Sequence, residues 1–249
     1  MLSTQRSGST FLCDQLRLRG GFVTHEYFNA RYYLPILAER WACLSPAGVL
    51  DVPRYVAQLR SRRAGDNGVL GVNVHGSQLP VFLQFLDHLT DLEVQVVRVE
   101  REDKLAQAVS MAIAEQTRQW SRHFSPVATP RYDPDHITRK LEDIARQTAM
   151  IEAFCAVTGF DARTTTYERM TADGQDPLSV VDGIEFGAPQ GEGLVSKQRG
   201  ETNREWKSRY VQDCLALAAG SDPHSAGLVR RAGRRLARSL RLVPGGRGK

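Results

Sequence analysis

The 249-residue chain is long enough to bury one large core, and its 41% hydrophobic and 24% charged residues are ordinary for a globular protein. No apolar run reaches the roughly 18 residues of a membrane span, and MLSTQRSGST lacks the hydrophobic stretch of an export signal, so a cytoplasmic protein is expected. The net charge of +5 is uneven: residues 225–249 hold eight of the 33 basic residues and no acid, so the other 25 face 28 acidic residues and the body advertises no nucleic-acid partner.

In chain order, Leu2, Ser3 and Thr4 predict a first strand shorter than the usual ~5–6 residues, either a truncated start or a frayed edge. Gln5-Arg6-Ser7-Gly8-Ser9-Thr10 follows, and Phe11, Leu12 and Leu16 then fall at helical spacing. A strand, a small-residue loop and a helix start aim several backbone N–H groups at one point, where they bind a phosphate or sulfate oxyanion. Ser9 and Thr10 add hydroxyl donors and Arg6 a fixed charge. The loop lacks GxxxxGK[ST], which argues against an ordinary nucleotide-hydrolysing P-loop enzyme.

Val69–Val74 and Val94–Val99 read as buried strands, as does the run around Thr164–Thr166. Between them Ile137, Leu141, Ile144, Thr148, Ile151 and Cys155 mark one apolar face of a long helix. The alternation predicts an α/β fold, a mostly parallel sheet with helices on both faces, and places ligands at the carboxyl ends of the strands. His75 stands at such an end. Cys13, Cys43, Cys155 and Cys214 are widely spaced, without CxxC or an adjoining His cluster, so neither a disulfide framework nor a metal site is expected. Thr171–Glu201, rich in Gly, Asp, Pro and Gln, reads as a mobile cover or a solvated connection, with a short helix over Leu178–Phe186. The main domain is drawn at 1–223. In the tail, 224–249, Val229, Ala232, Leu236, Leu240 and Val243 define a basic amphipathic helix, which lies on an anionic membrane surface, docks on its own domain or guides anionic donors.

Several segments, in order, carry a resemblance. Thr4-Gln5-Arg6-Ser7-Gly8-Ser9-Thr10-Phe11-Leu12 resembles the 5′-phosphosulfate loop of the trehalose 2-sulfotransferase family of bacterial carbohydrate sulfotransferases. His25-Glu26-Tyr27-Phe28 resembles its EYF segment. Arg101-Glu102-Asp103-Lys104, Ala106–Ser110 and Gln116–Trp120 resemble its longest signature. Thr166-Tyr167-Glu168 resembles the YE step near the end of sulfotransferase sheets, and Asn203 with Trp206 the C-terminal N-x-x-W segment. The likeness spans about residues 2–212.

The resemblance implies a sulfotransferase fold like that of P-loop kinases. It also implies 3′-phosphoadenosine-5′-phosphosulfate (PAPS) as donor, adenosine 3′,5′-bisphosphate as product, a small hydroxylated acceptor, no metal and a homodimer. By the same likeness Arg6, Ser7, Gly8, Ser9 and Thr10 hold the 5′-phosphosulfate, Arg101 and Ser110 the 3′-phosphate, with Arg199 as a second clamp, and Tyr167 lies against adenine. Glu26 is the implied general base and Arg6 offsets charge on the transferred group; Glu26, Tyr27, Phe28 and His75 meet the acceptor. His25 and His75 are rival bases. Where the family pattern is G-x-K-x-x-W this chain reads Gly71-Val72-Asn73-Val74-His75-Gly76, which implies a differently shaped acceptor pocket. Two other readings stand beside this one: a small-molecule kinase on the same architecture, and a nucleotide- or membrane-binding relative without catalysis.

Overall fold

A four-stranded sheet in the order β2-β1-β3-β4, parallel throughout, organises the protein. The computed structural model describes residues 1–120, 125–193 and 200–218. The chain divides into two compact units, Met1–Gln198 and Arg199–Lys249. The first contains β1 (Leu2–Ser3), α1 (Ser9–Gly20), α2 (Tyr33–Arg40), α3 (Val52–Arg63), β2 (Val74–His75), the short α4 (Leu79–Phe82), β3 (Val96–Glu100), α5 (Lys104–Thr117), α6 (Pro134–Thr158), β4 (Ala162–Thr166) and α7 (Tyr167–Met170). The second contributes α8 (Glu201–Ala218). No helix among the described residues is long and apolar enough to cross a membrane. The expected tail helix and Arg199 lie outside the described residues.

Side chains alternate across a strand, and β3 shows the consequence. Val96 joins Leu2, Val74, Tyr55, Leu59, Ile151 and Phe154 on one face, whereas Val97 and Val99 join Leu12, Leu16, Met170 and Leu178 on the other. The expected layering of helix, sheet and helix is therefore present. The apolar stripe of the long helix is also present, for Ile137, Ile144 and Ile151 are all buried in α6. Asp133 caps that helix by accepting from the His136 N–H, and Gly159 ends it in a left-handed conformation.

Two elements differ from the sequence reading. The run Val69–Val74 does not form one strand: Val72 bridges to His25, and only Val74–His75 pairs with β1. The centre strand offers just Leu2 and Ser3, so its neighbour can form no longer ladder. The helix expected over Leu178–Phe186 is a single 3₁₀ turn, Pro177–Val180. Pro177 starts that turn behind an Asp176 cap, and Gly183 at φ 65° breaks the helical path soon after.

The rest of that segment is fastened rather than loose as far as Gln190. Leu178 is buried against α1, Arg19 pairs with Asp176 at 2.7 Å, and the N–H groups of Gly187 and Gln190 donate to the carbonyls of Arg19 and Leu18. An apolar anchor and backbone hydrogen bonds thus tie these residues of the expected cover, 171–201, to α1.

The strand order fixes where a ligand belongs. From β1 the chain crosses to β2 on one side, then returns to place β3 on the other. In parallel sheets the crevice at such a reversal, beyond the carboxyl ends of the strands, is the natural binding site. Here the loops after β1 and β3 flank it.

Candidate active site

The loop after β1 turns sharply, with the Ser7 N–H donating to the Thr4 carbonyl at 3.3 Å. Gly8 then enters α1 at φ 95°, and a Cβ on it would lie 2.8 Å from the Tyr167 ring. Both the backbone and the space demand glycine here. Arg6 also has a positive φ, 61°, which costs a non-glycine residue roughly 1–3 kcal/mol. Its side chain explains why the conformation persists. Arg6 Nε donates to Ser110 Oγ at 2.9 Å and Nη1 to the Trp120 carbonyl at 2.8 Å, linking the loop to α5 and to the segment beyond it. From α5, fully buried Gln107 donates through Nε2 to Thr4 Oγ1 and to the Gln5 carbonyl, each at 2.7 Å.

Arg101, just past β3, donates to the Arg6 carbonyl at 3.4 Å, and its guanidinium lies 5.1 Å from the centre of the Tyr167 ring. Glu168 accepts from the N–H groups of Glu102 and Asp103 and lies 3.8 Å from Arg101 Nε. The Tyr-Glu step thus anchors the end of β4 to the end of β3 and supports Arg101. Burial, then the nearby Arg101 cation, depresses the Arg6 pKa. Two guanidiniums held this close favour an anion between them. Ser7 Oγ and Arg101 Nε are both buried without a hydrogen-bond partner among the described residues. A phosphosulfate or phosphate group fits these donors: Arg6, Ser7 and the first turn of α1 on one side, Arg101 on the other.

Beside this cradle stands a carboxylate. Glu26 Oε2 accepts from Asn29 Nδ2 at 2.9 Å and from Gln78 Nε2 at 2.6 Å, and Oε1 lies 3.2 Å from His75 Nε2. Burial by itself would raise the Glu26 pKa. The contacts from His75, Asn29 and Gln78 outweigh it and bring the group down to about 2. A hydrogen bond from Gln5 Nε2 to Ser77 Oγ, 3.2 Å, joins the loop after β1 to the turn after β2. The carboxylate and the cradle therefore belong to adjoining loops at one edge of the sheet.

The structure brings together Arg6, Ser7, Gly8, Ser9, Ser110, Arg101 and Tyr167, with Thr10 exposed at the start of α1. Tyr27 and Phe28, expected to meet the acceptor, are core residues instead. Phe28 has no accessible surface and packs on Phe82 and Phe85, while the Tyr27 hydroxyl donates to the Val23 carbonyl at 2.6 Å. His75 is 4% exposed and bound to Glu26, so it neither faces an acceptor nor competes with the carboxylate as base. His25 uses Nδ1 to accept from the Glu26 N–H at 2.7 Å, and burial lowers its pKa. Its ring centre lies 4.0 Å from that of Tyr33, the two planes tilted by 58°.

The sequence reading missed Asn29, Gln78, Gln107 and the Trp120 carbonyl. Asn29 and Gln78 do carry a local signal, standing three residues after the candidates Glu26 and His75 on their turns. Gln107 and Trp120 lie within the segments that resemble the family's longest signature, but their contacts depend on how α5 meets β1. Among the described residues no group of three or more His, Cys, Asp or Glu is placed to hold a metal ion. A family model, Stf0 sulphotransferase, matches residues 1–213. None of the curated proteins matches the chain.

Proposed function

The chain belongs to the Stf0 sulphotransferase family and is a sulfotransferase; on that premise we propose that it moves a sulfuryl group from PAPS to a hydroxyl of a small, carbohydrate-like acceptor. The observation that supports this most is the pairing of two arginines and a buried Ser7 hydroxyl, without a hydrogen-bond partner among the described residues, beside an ionised carboxylate at the reversal of the sheet. The cradle suits an anionic donor and the carboxylate suits a hydroxyl proton.

In this scheme Ser7, Gly8, Ser9 and Thr10 bind the 5′-phosphosulfate, and Arg101 with Ser110 takes the 3′-phosphate. Glu26 accepts the hydroxyl proton while the acceptor oxygen bonds to sulfur and the bond from sulfur to the 5′-phosphate oxygen breaks. Arg6 offsets the negative charge on the sulfuryl oxygens and on the departing phosphate oxygen, which leaves on adenosine 3′,5′-bisphosphate with the electron pair. Glu26 lies ionised at neutral pH, so it accepts without prior loss of a proton. Gly76 bears on the acceptor: a Cβ there would stand 2.6 Å from the Gln147 carbonyl oxygen, so this chain has no room for the family's aromatic side chain. This supports an acceptor pocket shaped differently from the family's.

The test is thermal stabilisation by adenosine 3′,5′-bisphosphate, compared with ADP and 5′-AMP. At about 100 times its Kd, a ligand specific for the folded state adds ~2.7 kcal/mol. The expected result is a rise in Tm with the bisphosphate that Arg101→Ala abolishes. A larger rise with ADP points to a kinase, and no rise with any of the three defeats the donor assignment.

A further inference from the structure

The two oxygens of Glu26 are used differently. Oε2 accepts from both Asn29 and Gln78, which fills its two lone pairs, whereas Oε1 meets His75 Nε2 and keeps a second lone pair for a substrate hydroxyl. An ionised carboxylate only accepts, so Nε2 carries the hydrogen of that contact. Behind the ring, His75 Nδ1 is the acceptor: the ring accepts from the Gln78 backbone N–H, and Ser3 Oγ lies 2.9 Å away, its single hydroxyl hydrogen serving either Nδ1 or Asn73 Oδ1, also at 2.9 Å. This contact is built into the sheet, because the register of β1 with β2 sets Ser3 directly opposite His75. Ser3, Asn73 and His75 are all buried.

We propose that His75 is a positioning residue: braced by Ser3 and the Gln78 backbone N–H, it holds the Glu26 carboxylate so that the remaining lone pair of Oε1 faces the acceptor hydroxyl. The proposal rests on Glu26 acting as the base. It gives a purpose to a histidine that is too buried to touch substrate, and it follows a general arrangement in which a base is oriented by a third group. Other groups also face Glu26. From its own segment come His25 and Asn29, from the turn after β2 Gln78, from α2 Tyr33, and from α1 Cys13, whose thiol burial pushes up to about 12. Arg63 acts on the neighbouring His25. None of these braces Oε1 in the way His75 does.

The decisive measurement is the titration of the Glu26 carboxyl carbon by ¹³C NMR in the free protein, for the wild type and for His75→Ala, His75→Asn and His75→Gln, alongside kinetics. In His75→Ala the Glu26 midpoint rises, because burial keeps its effect and a main counterweight is gone. The acid limb of kcat/KM moves to higher pH with it. Turnover falls about 10–100-fold, part of the ~10²–10⁴ that a placed base supplies, while binding of adenosine 3′,5′-bisphosphate is unchanged. His75→Gln, whose amide nitrogen reaches the place of Nε2, recovers most of both. His75→Asn reaches Ser3 but not Glu26, so it behaves like Ala and serves as the comparator if Ala does not fold. A Glu26 midpoint that stays in place in both His75→Ala and His75→Asn, or a Gln variant no better than Asn, overturns the proposal. The titration needs neither donor nor acceptor. A midpoint that moves as expected in a wild type without sulfuryl transfer therefore defeats the catalytic reading of Glu26 and leaves the pairing with His75 intact.

Discussion

Glu26 sits only partly covered, yet three donors hold it near a pKa of 2, against an ordinary 4.5. A carboxylate whose folded pKa is depressed stabilises the fold above its unfolded pKa and loses that contribution as pH falls. For Glu26 the effect is about 3 kcal/mol, present above pH 4.5 and withdrawn between there and pH 2. In Glu26→Gln the pH-dependent part disappears, so urea unfolding of the variant is flatter than that of the wild type across this window. The same variant is expected to lose about 10²–10⁴ in turnover while retaining the donor product, as measured by titration calorimetry. An equal slope in both proteins would mean that the carboxylate is no better satisfied in the fold than in the unfolded chain. Individual side chains were also where the sequence misled. Tyr27 and Phe28 adjoin Glu26, the proposed base, but an aromatic beside a charge reads the same whether it lines a pocket or fills a core. His75 was legible as a residue at a strand end. Its partner was not, since Ser3 and Glu26 reach it only through strand register and a parallel bridge far away in sequence.

Among the elements, those with a long periodic signal were the readable ones. The apolar stripe of α6 and the β-branched run of β3 need only local pattern, and Arg101 could be placed at the end of β3 on that basis. The segment after β4 was harder, because its composition is that of a loop while its order comes from one leucine and a few backbone hydrogen bonds. Leu178 is 1% exposed within the cluster that also holds Leu12, Leu16 and Met170. Leu178→Ala should lower stability by about 2–4 kcal/mol and speed hydrogen exchange at the Gly187 and Gln190 amides, which are bonded to α1. If exchange at those amides is already fast in the wild type, the segment is a loose cover after all. The anchor also bears on the site: Leu178 shares its cluster with Met170, which ends the short α7 that begins at Tyr167.

For the whole molecule, strand order mattered more than any single motif. Alternating strands and helices declared an α/β protein with its ligands at the strand ends. Composition could not reveal that β1 lies in the middle of the sheet, with the anion cradle on one flank and the carboxylate on the other. That position follows from the pairing of Leu2 with both Val74 and Arg98. The two halves of the site are consequently carried by different neighbours of one central strand. The cradle leans on β3 and α5, and the carboxylate leans on β2.

That central strand also has a history within each molecule's synthesis. Leu2 and Ser3 are made well before their partners at Val74, His75, Arg98 and Val99, and Ser110 and Trp120, which hold Arg6, come later still. Closing such distant contacts is slow compared with forming local helices. The contacts that fix the loop after β1 therefore close only once the chain has been made through Trp120. In refolding from urea, far-UV helical signal should return first and binding of adenosine 3′,5′-bisphosphate last, so the enzyme becomes able to recognise its donor only as its sheet closes.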